Sequence, residues 1–375
     1  MIIATEAQRA QRKDLASVAN PALRLRSITG VEKRMIIIRP VAMTDLDQLE
    51  TLAGMAGVGL TTLPKDRKFL RKRIKSSQLG FENLVEHPEG PAGEIYLFVM
   101  EDLETKKVIG TSALYSKVGG FEPFYSYNIE TETFKSDQIS ISKEVPILKL
   151  HEEHNGPSEV GSLFMHPDYR HGGNGRFMSL IRFLFVAEHP HFFESTVISE
   201  IRGVIDDAGN SPFWDAIGRH FFGIDFKQAD YLSVVNKRFI AELMPDHPIY
   251  ITMLPKSAQD VIGVCHEQSK PAMKTLADEG FVYENKVDIF DAGPLMSCRC
   301  DQIRTVRLSR RAAVKIMDDK ITGDPFIFCT TGDRFISGCA SLREMNGAVE
   351  IGRSIADALR LQDGEAIRYV ELRPK

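Results

Sequence analysis

The regular part of the chain opens on Met35-Ile36-Ile37-Ile38-Arg39-Pro40, a β-branched run closed by proline, which predicts a strand. Apolar residues then fall at Leu46, Leu49 and Leu52, a spacing that predicts an amphipathic helix, with Thr44 and Asp47 as its capping box and Gly54, Gly57 and Gly59 at its end. A basic amphipathic helix follows around Phe69 to Ile74. Residues 95–100 and 108–115 read as two strands of a hairpin around the polar turn 102–107, and the aromatic stretch 121–127 reads as a loop. Another apolar run stops at Met165-His166-Pro167, and residues 177–185 carry a helical pattern. A strand over 195–201 comes next, and Ser211-Pro212 opens a helix, proline being well placed in a first turn. Residues 211–222 and 270–281 resemble each other weakly, each a proline-started helix running into an aromatic strand. From about Cys300 short β-like runs alternate with turn signals such as Thr322-Gly323-Asp324-Pro325 and Gln362-Asp363-Gly364-Glu365.

This order of elements predicts an α/β (α+β) core, a mixed sheet with helices on both faces, over residues 35–300. A small β-rich C-terminal domain over 301–375 and a flexible N-terminal extension over 1–34 complete the expectation. A length of 375 residues suits two domains rather than one. The extension carries Glu6, Asp14 and Glu32, which argue against a transit peptide, and it has no continuous apolar core of a secretory signal. A net charge of −4 favours no nucleic-acid partner, and no apolar run approaches bilayer length. Five cysteines in a long chain suit a reducing, cytoplasmic setting, and the spacing of Cys298 and Cys300 is too tight for a zinc site, so no metal is expected.

The chemistry gathers where the strand before Pro167 meets the helix after Gly175. Between them lies Arg170-x-x-Gly173-x-Gly175. A strand feeding a glycine-rich turn that opens a helix points several backbone N–H groups at one spot, and the helix dipole favours a phosphate there. The pattern lacks the three glycines and downstream acid of a dinucleotide fingerprint, and no Gly-Lys-Ser/Thr follows as in a Walker loop. It resembles the acyl-CoA pyrophosphate loop of the GCN5-related N-acyltransferases.

N-acyl transfer from a thioester has few physical needs. Gly173, Asn174, Gly175 and Arg176 can hold the CoA pyrophosphate, with Arg170 beside them. A bulged strand just before the loop, around Ser162, Leu163, Phe164 and Met165, can turn backbone N–H groups toward the thioester oxygen as it becomes an oxyanion. The attacking amine must shed a proton, because an α-ammonium group with a pKa of roughly 8–9 is mostly charged at neutral pH. His or Glu is the natural base, and Glu159 stands a few residues before the presumed oxyanion strand. Arg202, ending a strand beside Gly203, could clamp a succinyl or an amino-acid carboxylate. Glu242, Asp288 and Asp291 could receive a guanidinium.

Several ordered blocks resemble the arginine N-succinyltransferase family: Gly59-Leu60-Thr61-Thr62-Leu63-Pro64, Ser158-Glu159, Ser162-Leu163-Phe164, Arg202-Gly203, Ser211-Pro212-Phe213-Trp214, Phe239-Ile240-Ala241-Glu242-Leu243-Met244-Pro245 and Asp288-Ile289-Phe290-Asp291-Ala292-Gly293-Pro294. The resemblance implies succinyl-CoA as co-substrate, with no tightly bound cofactor, and L-arginine as acceptor, giving N2-succinyl-L-arginine in the first step of arginine degradation by the succinyltransferase pathway. It places the family's catalytic histidine on His266, within Val261-Ile262-Gly263-Val264-Cys265-His266, and its succinyl-CoA contact on Leu163. Two blocks depart from the family pattern: His266-Glu267 stands for its His-Pro, and Glu159-Val160-Gly161 for its Glu-Leu-Cys. A paralogue acting on ornithine or another amine, or a non-catalytic CoA or amino-acid sensor of the same fold, is the alternative. The resemblance also leaves room for a homo-oligomer or a paired paralogous subunit.

Overall fold

The β-branched run Ile36–Pro40 forms strand β1 and pairs antiparallel with β2, Ile95–Asp102. In the computed structural model, which describes residues 34–373 except 57–62, 64, 87–89, 121, 236–237 and 333, β2 continues through the expected hairpin into β3, Lys107–Tyr115. The expected N-terminal extension, Arg34 excepted, and the block at 59–64, Leu63 excepted, lie outside the described residues.

Alternation along β2 builds two cores. Tyr96, Phe98 and Met100 point to one face, where they pack with Phe177, Leu180, Ile181 and Phe185 of the helix Asn174–Glu188. Leu97 and Val99 point to the other, against Leu46, Leu49 and Leu52 of the helix Leu46–Met55 and Leu70 and Ile74 of the helix Arg67–Glu86. The period of two along the strand is thus what puts helices on both faces of the sheet. The start of the first helix differs from the expected Thr44/Asp47 capping box. A 3-10 turn over Met43–Asp45 precedes it, and the Asp45 carboxylate accepts from the Ala42 N–H at 2.8 Å while pairing with Arg39 at 2.8 and 2.9 Å. Arg39 comes from β1, so the choice of Asp45 over Asp47 is made by a tertiary ion pair.

The aromatic stretch expected as a loop is instead the start of a strand. Phe124–Ser136 (β4) and Ile141–Glu153 (β5) form a long hairpin, followed by β6, Ser158–Met165, and β7, Thr196–Glu200. Phe124, Tyr125 and Tyr127 are buried: Tyr125 and Tyr127 lie in the apolar cluster of Phe213, Ile217 and Ile240, and Phe124 packs with Ile198 and Leu295. Ser211 caps the helix Pro212–Ala216, its hydroxyl accepting from the Trp214 N–H at 3.2 Å. The weak repeat does not extend to structure. The helix Lys270–Asp278 runs into a strand, whereas Pro212–Ala216 leads to two further helices, Gly218–Phe222 and Phe226–Val235. The remaining strands are β8 Ile249–Tyr250, β9 Val282–Val287, β10 Pro294–Arg299, β11 Arg310–Met317, β12 Pro325–Thr330, β13 Ser337–Ser341, β14 Arg343–Met345, β15 Ala348–Gly352 and β16 Ala366–Glu371.

All of them belong to one sheet, in the order β14-β15-β11-β16-β12-β13-β1-β2-β3-β6-β7-β10-β9-β4-β5-β8. Residues 36–375 cluster as one compact unit. Residues 301–375, proposed from their texture as a small separate domain, share this sheet through β13 against β1. They also brace the long buried helix, for Glu188 at its end accepts from Arg368 at 2.9 Å and from Arg311. Among the described residues no helix is long and apolar enough to cross a membrane. The antiparallel run β1-β2-β3-β6, the switch to a parallel partner at β7 and the helix after β6 make up the core of a GCN5-related acyl-CoA N-acyltransferase fold.

Candidate active site

Between β3 and β6 the register slips: the step from Thr111 to Ala113 is matched by the longer step from Phe164 back to Gly161, so β6 carries one extra residue. Ser162 sits in that bulge with φ of 51°, a left-handed conformation that residues with a Cβ rarely adopt. Side chains hold the distortion. The Thr111 hydroxyl donates to the Ser162 carbonyl at 2.8 Å, the Ser162 and Tyr115 hydroxyls are 3.2 Å apart, and Arg73 donates to the Tyr115 hydroxyl. A bulge of this kind turns backbone N–H groups out of the ladder, as an oxyanion requires.

On its other edge β6 parts from β7. The parallel pairing covers only Ser158 with Val197 and Glu159 with Ile198. Beyond those pairs a cleft of about 770 Å³ opens, walled by Glu159 to Met165 on one side and Ser199 to Arg202 on the other. The turn around Gly173 and the segments near Pro271 and Asp288 complete it.

Gly172 and Gly173 shape that turn, with φ of 65° and 89°, and Gly173 is the left-handed residue just before the helix Asn174–Glu188. No carboxylate lies in the first turn of the helix, so its positive end is left for an anion. Gly175 has open space around it, and Gly172, Gly173 and Gly175 all line the cleft. Arg170 lines it too; its Nε donates to the Met165 carbonyl at 3.0 Å and its guanidinium lies over the Phe164 ring. Asn174 does not face the cleft and instead secures the turn, its amide donating to the Tyr169 carbonyl at 3.1 Å. Arg176 lines the cleft but is held by Asp278 at 2.7 Å and by the Leu372 carbonyl at 2.7 Å. Gly173→Asp adds a Cβ at a left-handed residue whose nearest neighbour would be Leu372 at 3.3 Å, and sets a carboxylate at the anion site. It is expected to weaken CoA binding at least tenfold, about 1.4 kcal/mol. A calorimetric affinity within threefold of the unmodified protein would place the phosphate cradle elsewhere.

The opposite wall is built on close backbone contacts. The Asp291 carboxylate accepts from the Gly203 N–H at 2.7 Å and the Gly293 N–H at 2.8 Å. A Cβ on Gly203 would lie 2.3 Å from the Asp291 carbonyl oxygen, so that position requires glycine. Burial, and the charge of neighbouring Asp288, push the Asp291 carboxyl well above the usual carboxylate range. Burial lowers Arg202, against the opposing pull of Asp291 and Asp230. Arg202 and Asp288 both line the cleft, as does Glu159, which is only 7% exposed. Glu242 does not; it is exposed on the short helix Arg238–Leu243.

His266 stands just behind this wall. Its backbone N–H donates to the Arg202 carbonyl at 2.8 Å, and the following Gln268 and Ser269 line the cleft where His266 does not. Its Nδ1 accepts from the Gln268 N–H at 3.2 Å, so the neutral ring carries its proton on Nε2. Burial and then the Arg202 charge lower its pKa against the pull of Glu267 and Asp207, so the ring is neutral at pH 7. His166 caps its own turn the same way, accepting from the Asp168 N–H at 3.3 Å.

Several charged lining residues were not singled out from the sequence, among them Arg73, Glu200, Asp230 and Arg182, the last in the middle of the buried helix. For Arg182 the signal was present, since residues 177–185 are apolar but for Ser179 and this arginine.

A family model described as the arginine N-succinyltransferase beta subunit matches residues 36–305. The arginine N-succinyltransferase of Photorhabdus laumondii is 40% identical over 351 residues, which span 91% of this chain and 99% of that protein. The arginine N-succinyltransferase subunit beta of Pseudomonas aeruginosa is 40% identical over 342 residues, 90% of this chain and 98% of that one. Among solved structures, that of arginine/ornithine succinyltransferase subunit AI from Pseudomonas aeruginosa matches with a TM-score of 0.83 at 33% identity, covering 91% of this chain and 100% of the other.

Proposed function

The chain belongs to the arginine N-succinyltransferase family, and we propose that it transfers the succinyl group of succinyl-CoA to the α-amine of L-arginine. As a member of that family it is an acyltransferase that uses a CoA-derived co-substrate. The observation that carries the finer reading is the splay of β6 from β7, which opens one cleft from the Gly172–Gly173 turn to the Ser162 bulge and Glu159. In this reading the CoA pyrophosphate lies on the N-terminus of the helix Asn174–Glu188, and the thioester carbonyl lies against the bulge at Ser162 and Leu163.

The amine attacks the carbonyl carbon, an N–C bond forms and the C–S bond breaks. One proton leaves the amine and one reaches the CoA thiolate. Glu159 takes the amine proton, because it is the buried carboxylate at the fork of the two strands. His266, where the family likeness places the catalytic histidine, carries its proton on Nε2 and stands behind the Arg202 wall. It is assigned as a donor to the charge that develops on the thioester oxygen or sulfur, a role that requires its Nε2 edge to reach past that wall. Arg202 and Asp288 hold the amino acid by its carboxylate and guanidinium. A cytoplasmic location and a homo-oligomer or paired subunit belong to the same proposal; light scattering on the purified protein reads the assembly.

The test is thiol release from succinyl-CoA with arginine, ornithine or lysine as acceptor. Arginine should be acylated fastest. Ornithine, named with arginine for the Pseudomonas aeruginosa structure, is the acceptor that would displace it, and no release with any amine would sink the reading.

His266→Ala is expected to lower kcat by ~10²–10³-fold, the usual loss for removing one donor from a developing anion. His266→Asn keeps an acceptor for the Gln268 N–H and so preserves the turn. If the Asn variant regains full kcat, His266 is a cap and nothing more.

A further inference from the structure

Arg182 lies about two turns into the helix Asn174–Glu188 and is 2% exposed. All its hydrogen bonds go to neutral acceptors. Nε donates to the Ser179 carbonyl at 2.9 Å, one terminal nitrogen donates to Ser179 Oγ at 2.8 Å, and the other reaches the Gly161 carbonyl at 3.5 Å. Among the described residues no carboxylate pairs with it, and burial alone pushes the guanidinium down to about 9, which leaves it charged at neutral pH. Arg304, also buried, shows the usual arrangement, with its guanidinium on the Glu279 carboxylate at 2.9 Å. A buried cation without a counter-charge is unfavourable, and Arg182 lines the cleft, so an incoming anion can complete it.

Its place in the cleft decides which anion. The helix start, where phosphate belongs, is roughly 12 Å away along the helix axis. Gly161, by contrast, directly precedes the Ser162 bulge, so the guanidinium reaches β6 beside the thioester position. Arg202 lies on the opposite wall and already feels Asp291 and Asp230. Building on the acyl-transfer reading of this cleft, we propose that Arg182 receives the free carboxylate of the acyl group and so selects a dicarboxylic acyl-CoA over acetyl-CoA. A planar guanidinium can donate to both oxygens of a carboxylate at once, and a monocarboxylic acyl chain offers no such carboxylate.

The test compares succinyl-CoA with butyryl-CoA, in which a methyl group stands where the carboxylate was. Arg182→Met in the full chain should lower kcat/KM for succinyl-CoA by roughly 100-fold and change that for butyryl-CoA less than threefold, with the affinity for free CoA retained. Equal losses for both donors, or no loss for succinyl-CoA, overturn the proposal. So does a raised KM for the amine with donor preference unchanged. If the Met variant does not fold, Arg182→Lys carries the test: a succinyl-to-butyryl preference reduced at least tenfold supports it, and an unchanged preference overturns it. Calorimetric Kd values for the two thioesters read the same preference without turnover. Lack of acyl transfer by the unmodified protein would therefore count against the proposed function, while loss or retention of the binding preference on substitution would still decide the role of Arg182.

Discussion

Glu159→Gln is expected to lower kcat for arginine acylation by ~10²–10⁴-fold while the KM for the acyl-CoA donor stays within a few-fold. The carboxylate sits at the last residue where β6 pairs with β7, on the wall of the cleft, and it is buried. Glutamine keeps the shape and much of the hydrogen-bonding capacity but cannot take a proton. The surfaces proposed to bind the donor, the Gly172–Gly173 turn and the Ser162 bulge, do not depend on that proton. The deficit should shrink as pH rises from 7 toward 10, because the amine then arrives deprotonated and needs less help. Steady-state kinetics across that range check both parts. A variant with near-normal kcat, or a deficit that is flat with pH, would remove Glu159 as the base.

Arg304→Met should cost about 3–5 kcal/mol of stability, among the largest losses a single substitution can cause. Glu279 is fully buried and accepts from Arg304 Nε at 2.9 Å and the Thr305 N–H at 2.7 Å, with Arg176 3.6 Å away. Without Arg304 this buried carboxylate keeps its desolvation penalty and loses its closest cation. Denaturant unfolding measures the change, and a loss below about 1 kcal/mol would show that Arg176 suffices. Replacing both partners, Arg304→Met with Glu279→Leu, should recover much of the loss, since an apolar pair carries no stranded charge. Because Arg176 follows the turn proposed to cradle the phosphate, the single variant should also weaken CoA binding, whereas the double variant cannot restore that contact.

The glycine turn at the head of the helix Asn174–Glu188 was legible from sequence because every determinant is local. A strand, a proline, two adjacent glycines and an apolar helix lie within residues 158–188, and backbone conformation at a left-handed glycine depends on its own residue type. The hairpin of β2 and β3 was legible for the same reason, as two apolar runs around a polar turn. The aromatic segment at 124–127 reads as a loop from sequence and is a strand, because its burial comes from residues far along the chain, Phe213, Ile217 and Ile240 for the tyrosines and Ile198 and Leu295 for Phe124. Glu242 and Asp288 looked alike as acidic candidates. The fold exposes one on a short helix and turns the other into the cleft.

By itself, then, the sequence determined the elements whose causes are short in range: β1 to β3, the helices over them, the glycine turn and the ordered blocks that carry the family likeness. Tertiary structure decided which charges matter. Arg176 and Arg182 sit on the same helix, and although the apolar run around Arg182 marks it for burial, nothing within the helix shows which of the two meets a carboxylate. One meets Asp278 and Glu279, while the other meets only carbonyls and a hydroxyl next to the bulge. The energy of a charge depends on its burial and on partners brought from other elements, through Coulomb interactions whose distances exist only once the chain has folded. Whether an arginine is an anchor or an open receptor is set by that geometry.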